Sequence, residues 1–317
     1  MLGALIDEET HAFFDRGENL TRRRVRLVAA GATLTVVVLG LVVRNQVKVY
    51  EGRQARAALM LQRHPAVPQP PEVVQQRQAL FDMLKPVALN CQLARFGEAH
   101  DGGYLMCGNL LDNAQSGYSY GINGYDQWGC DISSKLDLTV HQYDCFNTTQ
   151  PSCSNGKTVF HAECVGDTAE TVDGRVFDTV KNQFARNHDA LKRIVLKVDV
   201  EGAEWDSLLS APDETLEQID QMSVEFHWGE DEEFHWVPDD KYLRVVERLK
   251  QFFEVAHIHF NNSSCVADLE PFPTWAFEVL FVNKRLAVVD PSRTADGLTP
   301  FDAPNNPSIA DCQPQAR

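Results

Sequence analysis

Positive charge is scarce in this chain, and the shortage removes several classes of function at once. It carries 29 lysines and arginines against 45 aspartates and glutamates, a net charge of -16. From residue 73 onward the imbalance sharpens to 38 acidic and 19 basic residues. That leaves no basic face for a nucleic-acid backbone and little attraction for anionic lipid, so no nucleic-acid partner is expected. No cysteine precedes Cys91 and no C-x-x-C occurs, which argues against a thiolate zinc site. No P-loop, G-x-G-x-x-G or H-E-x-x-H string is present, so phosphate loops and helical zinc proteases lack their signatures.

One stretch lacks charge altogether. Residues 27–43, LVAAGATLTVVVLGLVV, contain no ionisable side chain, and with Val25 they reach the short end of the length that spans a bilayer. Arg22, Arg23, Arg24 and Arg26 precede the run and Arg44 follows it. A cleaved signal peptide shares that order, but the run is long for one and no small-x-small site follows. An N-terminal single-pass transmembrane helix at 25–43 is expected, with 1–24 a cytosolic tail. Residues 44–80 read as a stem, extended by Pro65, Pro68, Pro70 and Pro71. The globular domain is assigned to 81–290, and the Pro-, Asn-, Asp- and Ser-rich 291–317 to a flexible tail.

Basic residues flank both ends of the run, so the positive-inside count hardly orients it. All eight cysteines (Cys91, Cys107, Cys130, Cys145, Cys153, Cys164, Cys265, Cys312) lie after it, as do sequons at Asn147, Asn261 and Asn262. An even count on one side reads as an oxidising lumen. The expected layout is type II, in the endoplasmic reticulum or Golgi, with a luminal domain.

Within the domain, Asp101-Gly-Gly103 between Arg95-Phe96 and Tyr104–Cys107 signals a hairpin. Strands are expected at 118–122, 138–143, 158–165, 194–198, 222–226, 255–260 and 277–282, and helices at 177–186, 203–209 and 241–252. Seven strands with interleaved helices imply an α/β, mostly parallel, doubly wound sheet whose ligands sit beyond the carboxyl strand ends.

The most telling string is Leu196–Trp205, LKVDVEGAEW: a strand buried on both faces that opens into Asp199, Glu201 and Glu204 around Gly202. An acid-rich helix start would look similar, for dipole reasons. The string resembles the signature of FkbM-type methyltransferases. Asp101-Gly-Gly-Tyr104, Tyr143-Asp-Cys-Phe146, Ser223-Val-Glu-Phe-His227, His259-Phe-Asn-Asn262 and Phe277-Glu-Val-Leu280 resemble blocks of allied methyltransferase-like proteins, together covering about residues 90–285. The resemblance implies a Rossmann-like class I methyltransferase fold with its last strand inserted antiparallel. It also implies S-adenosylmethionine as cofactor and methyl transfer to a hydroxyl.

On that reading Gly121, Asn123 and Gly124 form the cofactor loop, where side chains would block approach to backbone. Asp126, Trp128 and Asp131 crowd the same loop with acids and an aromatic, hostile to phosphate but tolerable for a sulfonium. Asp144 lies 23 residues beyond Gly121, near the offset of an acid that accepts ribose hydroxyls. Glu163 and Cys164 fall where adenine is contacted, and Asp199 would hold the methionine amino group or the substrate, with Lys197 as a possible ion-pair partner. Glu225 and His227, at i, i+2 after the fifth strand, share one sheet face; His227 is the expected general base, with Glu225 and Glu201 beside it. No metal is assigned: the acids from Glu230 to Glu233 with His227 and His235, and the pair His257 and His259, offer ligand atoms but no compact signature. The acceptor is expected to be a glycan or similar hydroxyl compound. Two other readings stay open: a catalytically inactive luminal binding module on the same fold, and a type II glycosyltransferase, whose D-x-D is met only by Asp199-Val-Glu201.

Overall fold

Short apolar runs alternating with amphipathic helices assemble a three-layer α/β unit. The computed structural model describes residues 70–228, 240–266, 269–295 and 299–312. The first element is helix α1 (Pro71–Met83), started by a proline at its first turn, where no amide partner is needed. A hairpin follows, β1 (Leu93–Gly97) with β2 (Gly103–Cys107), turning at the expected Asp-Gly-Gly. Then come β3 (Ser116–Tyr120), α2 (Gln127–Leu136), β4 (Thr139–Tyr143), β5 (Lys157–His161), β6 (Cys164–Val165), β7 (Glu170–Val172), β8 (Arg175–Asp178), α3 (Val180–Arg186) and β9 (Ile194–Val198). The remainder is α4 (Glu204–Ser210), α5 (Asp213–Gln218), β10 (Ile219–His227), α6 (Lys241–Phe252), β11 (Phe253–Phe260) and β12 (Ala276–Asn283).

The large sheet has the order β5-β4-β3-β9-β10-β12-β11. All neighbours are parallel except at β12, which lies antiparallel between β10 and β11. This is the seven-stranded Rossmann-like arrangement with its last strand inserted. From β3 the chain winds outward through β4 and β5, then returns to β9 and winds the other way, so β3 and β9 flank the switch point where such sheets open a ligand crevice.

Strand alternation divides the core. Ile194, Leu196 and Val198 of β9 join Phe184, Trp205, Leu208, Val245, Val246 and Leu249 on the face covered by α1, α3, α4 and α6. Val195 faces the other way, with Phe96, Tyr104 and Met106 of the hairpin and Trp128 and Ile132 of α2. Each such buried side chain contributes about 1.5–3 kcal/mol. The polar residues of this second face, Ser119, Lys197, Ser223 and Glu225, are buried under the hairpin, and Lys197 and Glu225 enter the site.

Two expectations fall outside the described residues, and several others need correction. The candidate span at 25–43 and the acid run from Glu230 to Glu233 lie outside the described residues; among the described residues no helix is long and apolar enough to cross a membrane. Residues 71–80, read as stem, are helical, because Val73, Leu80 and Leu84 join the core. The tail lacks regular structure but is packed down to residue 312: Asn305 and Cys312 are buried, and Cys265 bonds Cys312. The third strand stops at His161; Cys164 starts a separate three-stranded sheet, β6-β8-β7. Helix α3 begins only at Val180, where Thr179 caps it by accepting from the Asn182 amide, while Val176 and Phe177 go to β8.

All eight cysteines pair, as Cys91–Cys107, Cys130–Cys153, Cys145–Cys164 and Cys265–Cys312. The sequons fare differently. Asn262 is 1% exposed, and its amide donates to the carbonyls of Asn306 and Ile309. The Asn261 amide donates to Glu225, and that of Asn147 to Asn123. None offers a free amide for a glycan, so the luminal reading rests on the cysteines.

Candidate functional site

The carboxyl ends of β3, β4, β9 and β10 meet at one edge. Gly121 follows β3 with φ +72°, and a Cβ there would lie 1.6 Å from the Asp199 carbonyl oxygen. The glycine is therefore demanded by the chain's own close approach at the switch point. Its amide donates to the Tyr143 carbonyl and the Asp199 amide to that of Tyr120, stitching the three strand ends together. Asn123 and Gly124 continue the turn at φ +46° and +76°. Asp144 holds this loop: Oδ2 accepts from the Asn123 amide at 2.7 Å. Its Oδ1 accepts from the amides of Phe146 and Asn147, both at 2.8 Å. A carboxylate has about four acceptor positions, so one on Oδ2 is left over after these three bonds.

The next group is built on β9 and β10. Lys197 donates to the carbonyls of Tyr120 and Gly121 and to Asp199 Oδ2, the last at 3.2 Å, which bears out its reading as the ion-pair partner of Asp199. The Tyr104 hydroxyl, from the hairpin, lies 3.0 Å from Asp199 Oδ2 and 3.1 Å from Glu225 Oε2. With one proton to give, it can serve only one acid at a time. Burial would raise the Asp199 carboxyl, but Lys197, His227 and the Tyr104 hydrogen bond hold it below its usual range. Burial raises Glu225 to about 8, and the neighbouring Asp199 charge adds to the effect. A proton on Glu225 closes the contact that Tyr104 cannot serve.

His227 ends β10, 3% exposed. Its backbone amide donates to Glu204 Oε1 at 2.6 Å, and its Nδ1 lies 3.3 Å from the same oxygen. Glu204, which resembles a routine helix-start acid, is wholly buried and also accepts from the Gly202 amide. The Nε2 edge faces Glu201 Oε2 at 3.7 Å, Glu225 Oε1 at 3.9 Å and Asp199 Oδ1 at 4.0 Å. Burial opposes the charged imidazolium, but Glu204, Glu225 and Asp199 overcome it and raise the pKa to about 10. With no ion bound these acids keep the imidazole charged near neutrality, so the general-base role expected of His227 would require that proton to be displaced first.

The structure gathers Gly121, Asn123, Gly124, Asp144, Asp199, Glu201, Glu225 and His227 at the strand-end edge. It does not bring Glu163 and Cys164 into the same hydrogen-bonded group. Glu163 pairs with Arg186 of α3, and the Cys164 sulfur is spent in the disulfide that anchors Cys145, next to Asp144. Asp126, Trp128 and Asp131 leave the loop as well. Asp126 caps α2 by accepting from the Gly129 amide, Trp128 is buried in the second core, and Asp131 accepts from the Gly97 amide. Tyr104 went unmarked as a site residue, although it lies inside a string that carries the resemblance; Glu204, a further candidate among the acids of its own string, holds His227 in place instead of facing outward. An open groove lined by Tyr125, Asp131, Ser134, Asn155 and Lys157 lies beside α2, and none of the strand-end acids lines it.

Comparison with known proteins adds little. No family model matches the chain, and no curated protein matches it. Among solved structures, the Methanococcus jannaschii fibrillarin pre-rRNA processing protein matches with a TM-score of 0.31 and 11% identity, over 55% of this chain and 69% of that one. An overlap that partial has no bearing on chemistry.

Proposed function

We propose that this chain is an S-adenosylmethionine-dependent methyltransferase that methylates a hydroxyl of a glycan or similar acceptor. In this reading the apolar run at 25–43 anchors it and the domain lies in the secretory lumen. The observation that carries the reading is the meeting of Gly121, Asp144 and Asp199 at the switch point, because cofactors of such sheets sit there. The residues present fit the cofactor: Asp144 retains an acceptor position for a ribose hydroxyl, and Asp199, its side chain 24% exposed, stands at the strand end to position the substrate. The bound cofactor would supply an electrophilic methyl on a sulfonium. The chain's part is to hold the acceptor in line, exclude water and receive the hydroxyl proton; Asp199, which stays charged, is the acid placed to do so.

Calorimetric titration of the full-length protein with S-adenosylmethionine tests the reading. Saturable binding is expected, weakened tenfold or more in Asp144→Asn; a folded protein that gives no heat refutes it. One observation favours the inactive module, namely that Asp144 spends three of its four acceptor positions on its own loop. Transfer of a labelled methyl group to glycan acceptors separates the two, since the module binds cofactor without turnover.

A further inference from the structure

We propose that Asp199, Glu201 and His227 form a binding site for a divalent first-row transition cation of the Mn²⁺ and Zn²⁺ class. One carboxylate oxygen from each acid and one imidazole nitrogen lie within 4.8 Å of one another. The separations from Nε2, 3.7 Å to Glu201 and 4.0 Å to Asp199, are too long for hydrogen bonds. They suit ligands sharing one ion at bond lengths of roughly 2.0–2.2 Å.

The acids alone would prove nothing; the histidine supplies the independent observation. His227 is 3% exposed, and its Nε2 has no hydrogen-bond partner among the described residues while pointing into the cluster. The opposite nitrogen, Nδ1, is aimed at Glu204, which two backbone amides hold in place. Metal-bound histidines show that same arrangement: one nitrogen on the ion, the other donating to a carboxylate that fixes tautomer and ring orientation. Glu204 is therefore a positioning residue. Glu225, 3.9 Å from Nε2, stands close enough to serve as a further ligand once its own proton has left.

The ligand set selects the ion. One imidazole with carboxylate oxygens suits Mn²⁺ or Zn²⁺ better than Ca²⁺ or Mg²⁺, which prefer oxygen alone, and no thiolate is available because every cysteine is in a disulfide. The other histidine pair makes no comparable set: His257 bonds Asp302, and the two nitrogens of His259 face acids on opposite sides. Glu201 is 74% exposed in its side chain, so the site has a solvent-facing side. Its role rests on the methyltransferase reading: the acceptor hydroxyl would enter as a ligand on that open side, and its O–H proton would pass to a strand-end carboxylate.

The test uses full-length protein stripped by chelator and desalted, titrated with MnCl₂ and followed by loss of the free-ion electron paramagnetic resonance signal. One Mn²⁺ per chain is expected, displaced by Zn²⁺, with binding at least tenfold weaker in Glu201→Gln and lost in Asp199→Asn. Glu201→Gln is decisive because the side chain is exposed, and its metal-free unfolding midpoint should equal that of the wild type. Absence of Mn²⁺ and Zn²⁺ uptake, a Glu201→Gln titration like the wild type, or displacement by Mg²⁺ or Ca²⁺ at equal concentration would overturn the site. S-Adenosylmethionine is titrated separately with chelator present. Cofactor binding without metal uptake sinks the metal site alone, and metal uptake without cofactor binding sinks the methyltransferase reading alone.

Discussion

Two residues carry more of the site than their types advertise. Gly121 sits at φ +72° with the Asp199 carbonyl 1.6 Å from where a Cβ would be. Gly121→Ala must therefore spread β3 from β9 as well as adopt a disfavoured φ, and a loss of at least about 2 kcal/mol is expected in urea unfolding. A variant of wild-type stability would show that the strand ends do not meet as described. Glu204 is the second. Truncation to alanine strands the amides of Gly202 and His227 and leaves a buried imidazolium without its nearest acid. Breaking such a pair costs about 3–5 kcal/mol. Glu204→Gln keeps the shape and an acceptor oxygen, so it should lose clearly less; equal losses would mean that the charge contributes nothing. Neither role was legible one residue at a time. A glycine after a strand and a glutamate at a helix start are each ordinary, and only the approach of two distant strands gives them their work.

At the scale of elements, the strands with unbroken apolar runs were readable and those shaped by side-chain bonding were not. Ile194–Val198 and Lys241–Phe252 fall where hydrophobic period places them. Helix α2 was hidden because its sequence reads as polar loop, and it is fixed by the Asp126 cap and by buried Trp128. The C-terminal strap was missed for a related reason: it holds by paired charges and a disulfide, with little apolar content. His257 bonds Asp302 at 2.8 Å, and His259 lies between Glu278 of β12 and Asp311 of the strap. Burial would lower the His259 pKa, but Glu278, Asp302 and Asp311 raise it above 6.5. A group with a raised folded pKa contributes stability that is full below its unfolded value and lost as pH climbs through the folded one. Asp302 is also buried, yet the His257 hydrogen bond holds it below its usual range, so it stays charged throughout that window. Hydrogen exchange in residues 299–312 should therefore quicken from pH 6.5 upward, after correction for intrinsic rates, and His259→Gln should flatten the rise. A strap equally protected at pH 6 and pH 9 would remove His259 from its anchoring.

For the whole molecule, sheet order and compartment are the two questions. The order was inferable because seven runs with interleaved helices admit few topologies, and β12 takes the inserted place that the resemblance implies. The compartment is less secure than the sequons implied, since all three asparagine amides are engaged within the fold. What remains is the covalent network. Four disulfides close separations of 16, 23, 19 and 47 residues, and loop-closure entropy assigns roughly 3–4 kcal/mol to each. Taken together that matches or exceeds the 5–15 kcal/mol by which whole domains are stable. Four such bonds are compatible with a secreted or luminal domain, where thiols are oxidised. The domain should therefore unfold at 37 °C once all four bonds are reduced and alkylated, losing its near-ultraviolet circular dichroism, and should fold only when made in an oxidising compartment. Full retention of the signal after reduction would free the chain from that requirement and remove the remaining support for a luminal domain.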